Sequence, residues 1–512
     1  MKDYDLDFNY LLKLLFSHIN ENGDDVIASL ERVSQDGFTF PETITPEEER
    51  YAKAIMKWLL EVGPKNKRTV SRIALLLMSY IFYEDFHYPQ PEKGIYDIAN
   101  NDFEKLKWVY RYWFNQLEVA EKGSGIEDIF SSQDLSELAQ KKPDNATVLS
   151  ISCAGDLLAV DVLTPENTAY LFDEIRDFYS TTKIVSANLE STVDKNSDVG
   201  RTQVPGEPAK MNTSQEMFDK FRSEAGINFF STATNHALDW DESGVLATLD
   251  VLAASGARYS GTAKSSEQQN DITVVNVWPE SAPGTEDEEL PPEMRVGLLS
   301  FTMDLNGFTK PEGKSYLVNE VRFNDVDPAP DYTLIKAQVA AAKEKGADWI
   351  IAYVHWGWEF EMYPHANIRE VAHKIIECGV DTILGNHAHV SQPAELIKRE
   401  GKQDALVIYS FGDFVSYHPE SRNSKLSYIV RFEVVKKSDK FFIAGLDALP
   451  IYIINERVND EKFNCRIVKF QNVLSNPDIY GLTDIEKNQL PHLRDKVWRQ
   501  ILSPLANLGG IN

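Results

Sequence analysis

The sequence predicts an α/β domain preceded by an all-helical region, and three observations carry that expectation. Up to about residue 145, apolar residues recur at helical spacing without a strand pattern. From Ala146 onward, short apolar runs alternate with amphipathic stretches, the pattern of a sheet with helices on its faces. Each of six apolar runs is also followed by carboxylates, amides or imidazoles, at the carboxyl ends where open α/β sheets form ligand sites.

The helical region is read from four segments. Leu11, Leu12, Leu14, Leu15 and His18 share one stripe, as do Tyr51, Ile55, Trp58 and Leu59, and then Ile73, Leu76, Leu77 and Ile81. Phe103 to Leu117 is rich in aromatics, with Trp108, Tyr110, Tyr112 and Trp113. Such stripes form core, so residues 1–145 are expected to be a helical unit outside the sheet, with polar Ser124–Asp144 as its linker.

The second domain is expected over residues 146–454. Its strands are predicted at Val148–Ala154, Lys183–Leu189, Ile227–Thr232, Arg295–Phe301, Trp349–Val354, Asp381–Leu384 and Ala405–Phe411. Glu166–Tyr179, Gln215–Ala225, Glu242–Ser255, Tyr332–Lys345 and Ile368–Cys378 read as the intervening helices. Acidic, proline-bearing Pro279–Glu293 reads as a solvated loop. The pattern is β-rich from Leu426 to Phe470; residues 455–512 are expected as an extension packing on the domain, with a final helix at Leu493–Leu502.

Composition narrows the function classes. With 512 residues, 43 % hydrophobic and 26 % charged, the chain can bury a large core and is not disordered. Its 79 acidic and 52 basic residues give a net charge of −27, and no Lys/Arg-rich run is present, which excludes coating of nucleic acid. Cys153, Cys378 and Cys465 stand alone in apolar runs and read as reduced thiols. Met1–Asp7 is acidic and lacks a secretory signal's basic start, and Ile73–Tyr83 is shorter than the ~20 residues of a membrane span. No membrane anchor and a cytoplasmic location are therefore expected. Neither a Gly-any-Ser-any-Gly elbow nor a phosphate-binding or dinucleotide glycine loop occurs.

The chemistry collects at the run ends: Asp156, Glu190, Asn235-His236 with Asp239, His355 with Glu359, His387-Ala388-His389, and Asp413. Singly, most are ordinary. Gly-Asp is a common turn, Asn235 suits a helix cap, and His355 among tryptophans suits a core. In an extended segment His387 and His389 would share a face and address one ion. Four of the ten histidines, His236, His355, His387 and His389, fall at strand ends, and jointly this points to a metal site. Mixed Asn, carboxylate and His ligation without thiolates suits Mn, Fe or Zn.

Gly155-Asp156, Ala187-Asn188-Leu189-Glu190, Asn235-His236-Ala237-Leu238-Asp239, His355-Trp356-Gly357-Trp358-Glu359, Gly385-Asn386-His387-Ala388-His389 and Ser410-Phe411-Gly412-Asp413-Phe414 occur in that order. The set resembles the CapA-type poly-γ-glutamate capsule-synthesis protein family, a branch of the calcineurin-like metallophosphoesterase superfamily, over about residues 147–435. The resemblance implies a four-layer α/β/β/α sandwich with one or two divalent ions per chain. It implies that Asp156 and His389 hold one ion, that Asn235, His355 and His387 hold the other, and that Glu190 bridges them. His236 would match the general acid, with Glu359 and Asp239 as further carboxylates of the catalytic set. Three positions depart from the pattern: Leu158 replaces a superfamily histidine, Glu190 replaces a bridging aspartate, and Asp413 stands where the family often has asparagine.

The implied function is a metal-dependent hydrolase that attacks a phosphoester or γ-glutamyl-type substrate with a metal-bound hydroxide while His236 protonates the leaving group. The alternative is a non-catalytic, metal-assisted binding or assembly protein for an acidic polymer, with a protein partner docking on the N-terminal helices.

Overall fold

The structure is a computed structural model that describes residues 72, 75–76, 78–79, 82–99, 101–203, 208–278, 291–460 and 462–508. The stripes at 11–18 and 51–59, most of that at 73–81 and most of the 279–293 loop lie outside the described residues. The chain divides into two compact units, Met1–Gln90 with Ile98–Asn115, and Pro91–Asp97 with Gln116–Asn512.

In the first unit, helices Tyr83–His87 and Asp102–Trp113 pack through Phe82, Phe86, Leu106 and Tyr110. The Asn101 side chain accepts from the Phe103 and Glu104 N–H groups and so caps the second helix. The Tyr110 hydroxyl lies 2.9 Å from His87 Nε2.

The second unit carries sixteen strands among its described residues. β1 (Thr147–Leu157) and β2 (Ile184–Leu189) are followed by the hairpin of β3 (Gly200–Thr202) and β4 (Lys210–Asn212), then by β5 (Phe229–Ser231) and β6 (Arg258–Ser260). β7 (Thr273–Val277), β8 (Met294–Thr302), β9 (Trp349–His355), β10 (Thr382–Asn386), β11 (Ala394–Ile397) and β12 (Ala405–Ile408) build a second sheet. β13 (Asp413–Val415), β14 (Leu426–Lys437), β15 (Lys440–Arg457) and β16 (Phe463–Lys469) return to the first.

The first sheet runs β16-β15-β14-β1-β2-β5-β6, with β13 also on β1, and the second β11-β12-β10-β9-β8-β7. Strands β1, β2, β5 and β6 are mutually parallel, as are β8, β9, β10 and β12. Their carboxyl ends therefore lie together on one edge of each sheet.

Period-two alternation makes the two sheets face each other. Ser186 and Asn188 of β2 point to the second sheet, where the Tyr353 hydroxyl donates to Ser186 Oγ at 2.9 Å. Ser231 and Ser300 meet across the same gap at 2.8 Å, and the Phe229 and Tyr353 rings lie 4.9 Å apart. Val185, Ala187 and Leu189 point the other way, into a cluster with Met217, Phe218 and Phe221 of the helix Gln215–Ser223. Each fully buried side chain of this size contributes roughly 1.5–3 kcal/mol over exposure. Helices Thr333–Glu344 and Ala366–Glu377 bury their apolar faces beside the second sheet; Ala342 comes close to Gly297, and Arg369 binds Glu395 of β11. The result is a four-layer α/β/β/α sandwich.

Two segments differ from the sequence reading. Residues 116–145, grouped there with the helical region, belong to the second unit: Gly445 and Leu446 donate to the carbonyls of Gln140 and Leu138. Side chains add to this attachment: the Phe130 ring lies 5.4 Å from Tyr409, Gln133 accepts the Leu396 N–H, and Ile126, Leu135 and Leu138 are buried. Residues 455–512 include the end of β15 and all of β16, so part of this stretch is sheet rather than an addition to it. Beyond it, helix Asp484–His492 opens with a Thr483–Glu486 capping box. Pro491 has no N–H to donate, and the helix continues over Leu493–Ile501 with wider π winding.

Cys153, Cys378 and Cys465 are all free; Cys378 is only half-buried at a helix end, where the others are core. No helix among the described residues is long and apolar enough to cross a membrane.

Candidate metal centre

The centre begins with a close approach of two backbones. A Cβ on Gly155 would sit 1.8 Å from the Gly412 carbonyl oxygen, so only glycine lets β1 and the loop before β13 touch there. Asp156 and Asp413, the next residues, consequently lie opposite each other in register.

Asp156, Glu190, His355, His387 and His389 converge at the strand ends, all buried. His355 Nε2 lies 2.9 Å from Asn235 Oδ1, 3.1 Å from His387 Nδ1 and 3.3 Å from Glu190 Oε1. On the other side, Glu190 Oε1 lies 3.6 Å from His389 Nε2, and His389 Nδ1 lies 3.9 Å from Asp156 Oδ2. Donor atoms held ~2.0–2.2 Å from a common ion lie roughly 3 Å apart, so the spacing around His355 suits a cation. Glu190 is common to both groupings, Glu190–His355–His387 and Asp156–Glu190–His389.

The decisive observation is what Glu190 lacks. It is fully buried, and neither carboxylate oxygen has a hydrogen-bond partner; His387 Nε2 and Asn188 Oδ1 are buried and unpartnered as well. An uncompensated buried carboxylate costs several kcal/mol, and a bound cation would remove that cost. The residues present therefore fit a metal.

The electrostatics point the same way. Burial pushes Glu190 well above the ordinary carboxyl range, reinforced by Asp156, and pushes Asp156 up to about 7. Burial lowers His355 well below the ordinary imidazole value, with His387 and His389 adding repulsion, and brings His387 down to about 3. These two histidines are thus neutral, the form that binds metal. His389 differs: burial opposes its charge, but Glu190 and Asp413 outweigh it and raise its proton affinity well above normal. Asp413 stays ionised despite burial because His418 and His389 both donate to it.

His387 and His389 do not lie on an extended segment, as the sequence argument assumed. β10 ends at Asn386, and the two histidines adopt φ of 95° and 52°. Positive φ is costly for residues other than glycine and marks a chain held in place by its surroundings. The turn, rather than strand alternation, brings both rings to the centre from different directions.

His236 stands beside this group without being part of it. Its Nδ1 donates to Asp239 Oδ2 at 2.7 Å, and Asp239 also accepts the Met211 N–H. Nε2 is left free of Asp239, and the residue is 8 % exposed. Asp239 orients His236 and touches none of the convergent ligands. Glu359 lies at the rim, with Oε1 4.0 Å from His387 Nε2 and its side chain 19 % exposed. Leu158, in the place of the superfamily histidine, packs with Val160 and Met211 and offers no ligand.

Sequence reasoning left several contributors out of the candidate set. Asn188 Nδ2 donates to Asp156 Oδ1 at 2.7 Å and lies 3.1 Å from His355 Nδ1. Asn306 Oδ1 accepts from Asn235 Nδ2 at 3.1 Å, which fixes the Asn235 amide with its Oδ1 toward His355. His418 braces Asp413 at 2.7 Å. Asn188 stands two residues before Glu190 on the same strand end, where a carboxylate is the stronger ligand signal; Asn306 and His418 lie in loops without a pattern.

Two facing sheets, helices outside them and ligand-type side chains at the parallel strand ends define a four-layer α/β/β/α sandwich with a candidate metal centre. The chain belongs to the bacterial capsule synthesis protein family PGA_cap, whose model matches residues 150–418. It is 22 % identical over 323 residues to the capsule biosynthesis protein CapA of Bacillus anthracis, covering 59 % of this chain and 72 % of that one. It is 24 % identical over 319 residues to the PGA biosynthesis protein CapA of Bacillus subtilis (strain 168), covering 61 % and 74 %. Among solved structures, a hypothetical protein from Thermus thermophilus matches with a TM-score of 0.33 at 15 % identity, covering 59 % of this chain and 99 % of that one. The calcineurin-like phosphoesterase YfkN from Bacillus subtilis matches with a TM-score of 0.33 at 14 % identity, covering 68 % and 100 %.

Proposed function

We propose that this protein is a metal-dependent hydrolase acting on a phosphoester or a γ-glutamyl-type bond, with a role in making or remodelling an acidic capsule polymer. The single observation that carries the reading is the buried, unpartnered Glu190 carboxylate set between His355 and His389. Asn235, Glu190, His355 and His387 would hold one ion, and Asp156, Glu190 and His389 a second. When bound, Mn, Fe or Zn at such a site polarises the electrophile and makes water a nucleophile at neutral pH.

The protein's own groups supply the rest. Asp239 fixes the His236 ring through Nδ1, so Nε2 is the atom that delivers a proton to the departing oxygen or nitrogen. Asn306 accepts from Asn235 Nδ2 and so keeps Asn235 Oδ1 turned toward His355. Glu359 at the rim repels stray anions and selects substrates that bring their charge to the metals.

A second reading is favoured by Leu158: with no ligand at that position, one ion alone would make the site a binding module for an acidic polymer. The experiment is a metal-by-substrate screen of the purified chain on phosphomonoester, phosphodiester and γ-glutamyl substrates, with and without chelator. Chelator-sensitive turnover with near two ions per chain supports the hydrolase; about one ion and no turnover on any substrate overturns it in favour of binding.

A further inference from the structure

Residues 117–121 precede the family-matched region and are bonded to two loops beside the candidate centre. Leu117 forms a two-sided bridge: its N–H donates to Phe360 O at 2.9 Å, and its carbonyl accepts the Met362 N–H at 2.8 Å. Glu121 Oε1 lies 2.9 Å from His365 Nδ1 and also accepts the Ala366 N–H. His365 Nε2 meets Glu361 Oε2 at 2.6 Å, and its ring stacks on Trp358 at 3.8 Å with 9° between planes. Glu118 reaches the other loop, accepting from Arg422 and from Asn423 Nδ2.

These loops matter to the centre. The first carries Glu359 and Phe360, and the Phe360 ring lies 6.0 Å from His389 and 5.8 Å from His418. The second begins directly after His418, which braces Asp413.

We propose that residues 117–121 form a positioning strap: Glu121, acting through His365, sets the Glu359–Phe360 loop, and Glu118, acting through Arg422 and Asn423, sets the loop after His418. Neither glutamate touches a ligand residue, so each acts only through the loop it holds. The strap stands on its own contacts; its consequence for the centre rests on the metal reading above. It follows residues 98–115 of the first unit directly in the chain, so that unit is covalently continuous with it.

The test uses full-length Glu121→Ala, Glu121→Gln and Glu118→Ala, with amide hydrogen exchange and the visible spectrum of the cobalt(II)-loaded protein as readouts. In Glu121→Ala, amides of Gly357, Phe360 and Met362 are expected to exchange about ten-fold faster or more, while those of β9 and β10 keep wild-type rates. The cobalt band should shift with the loop, and Glu121→Gln, whose amide oxygen still accepts the Ala366 N–H, should restore most of both signals. Glu118→Ala should do the same for amides of residues 418–425. Unchanged loop exchange in both alanine variants, uniform acceleration across the sandwich, or a loosened loop with an unmoved cobalt band overturns the strap. Loosened loops in variants of a chain whose wild type binds no cobalt support the strap's hold and sink the metal reading instead.

Discussion

Asp413 accepts the Nδ1–H of His389 at 2.8 Å, and this decides which ring atom His389 presents to Glu190. With Nδ1 committed, Nε2 is the atom left for a ligand. A carboxylate in this place orients the imidazole and raises its basicity. The other Asp413 oxygen is taken by His418 and Ser416, so the carboxylate itself cannot rotate.

Asp413→Asn should therefore weaken metal binding at the Asp156–Glu190–His389 group by about 10–100-fold while the fold survives. Titration with cobalt(II) or manganese(II), followed by calorimetry, measures this. An unchanged affinity would mean His389 is not a ligand.

His236 and His387 should separate cleanly. His236→Ala should lower turnover about 10²–10⁴-fold and leave metal content intact, because it removes a proton donor alone. His387→Ala should lower the metal content itself. Equal metal loss in both would make His236 a ligand, and full activity in His236→Ala would remove the general-acid role.

Glu190→Gln should have opposite effects on the metal-free and metal-loaded chains. Without metal, replacing a buried carboxyl whose ionised form the fold disfavours should raise the melting temperature at neutral pH, where the unfolded chain ionises that group. With metal, the stabilisation, about 2.7 kcal/mol when the ion is at a hundred times its dissociation constant, should largely vanish. Scanning calorimetry with and without chelator reads both signs.

His365 makes stability pH-dependent on the alkaline side. Burial opposes its charge, yet Glu361 and Glu121 prevail and lift it from 6.5 to about 9. A raised folded-state value means the stabilisation is fully present below about 6.5 and is lost as pH rises through about 9. The loss should be roughly 2–3 kcal/mol between pH 6.5 and 10, read from denaturant midpoints. His365→Gln should flatten that limb, and an unaltered slope would mean the imidazole is neutral in the fold.

The fold and the core of the site were legible for one physical reason: strands and helices leave periods, and polar residues at strand ends break them conspicuously. Asp156, Glu190, His355, His387 and His389 were all found this way. The geometry of His387 and His389 was not, because positive φ at non-glycine residues is imposed by packing and leaves no mark in the sequence. Nor could the sequence reveal Glu121 with Ala366, 245 positions apart, since a single buried acid in a polar stretch has no period at all. Within 116–145, Ile126, Phe130, Leu135 and Leu138 are buried, but apolar residues scattered through a polar stretch do not show which unit they join.

The pairing of β1 with both β2 and β14 has a consequence for biosynthesis. The Asp156 carboxylate waits for the His387 amide, 231 residues later, and β1 itself needs β14 as a neighbour. As the chain leaves the ribosome, the early strands and the acids they carry are made long before their partners. Contacts this distant close slowly, and β1 offers an open edge meanwhile. Truncation anywhere before β14 should therefore yield an aggregating chain rather than a smaller folded unit, and the convergent side chains of the candidate centre are complete only once His389 has been made.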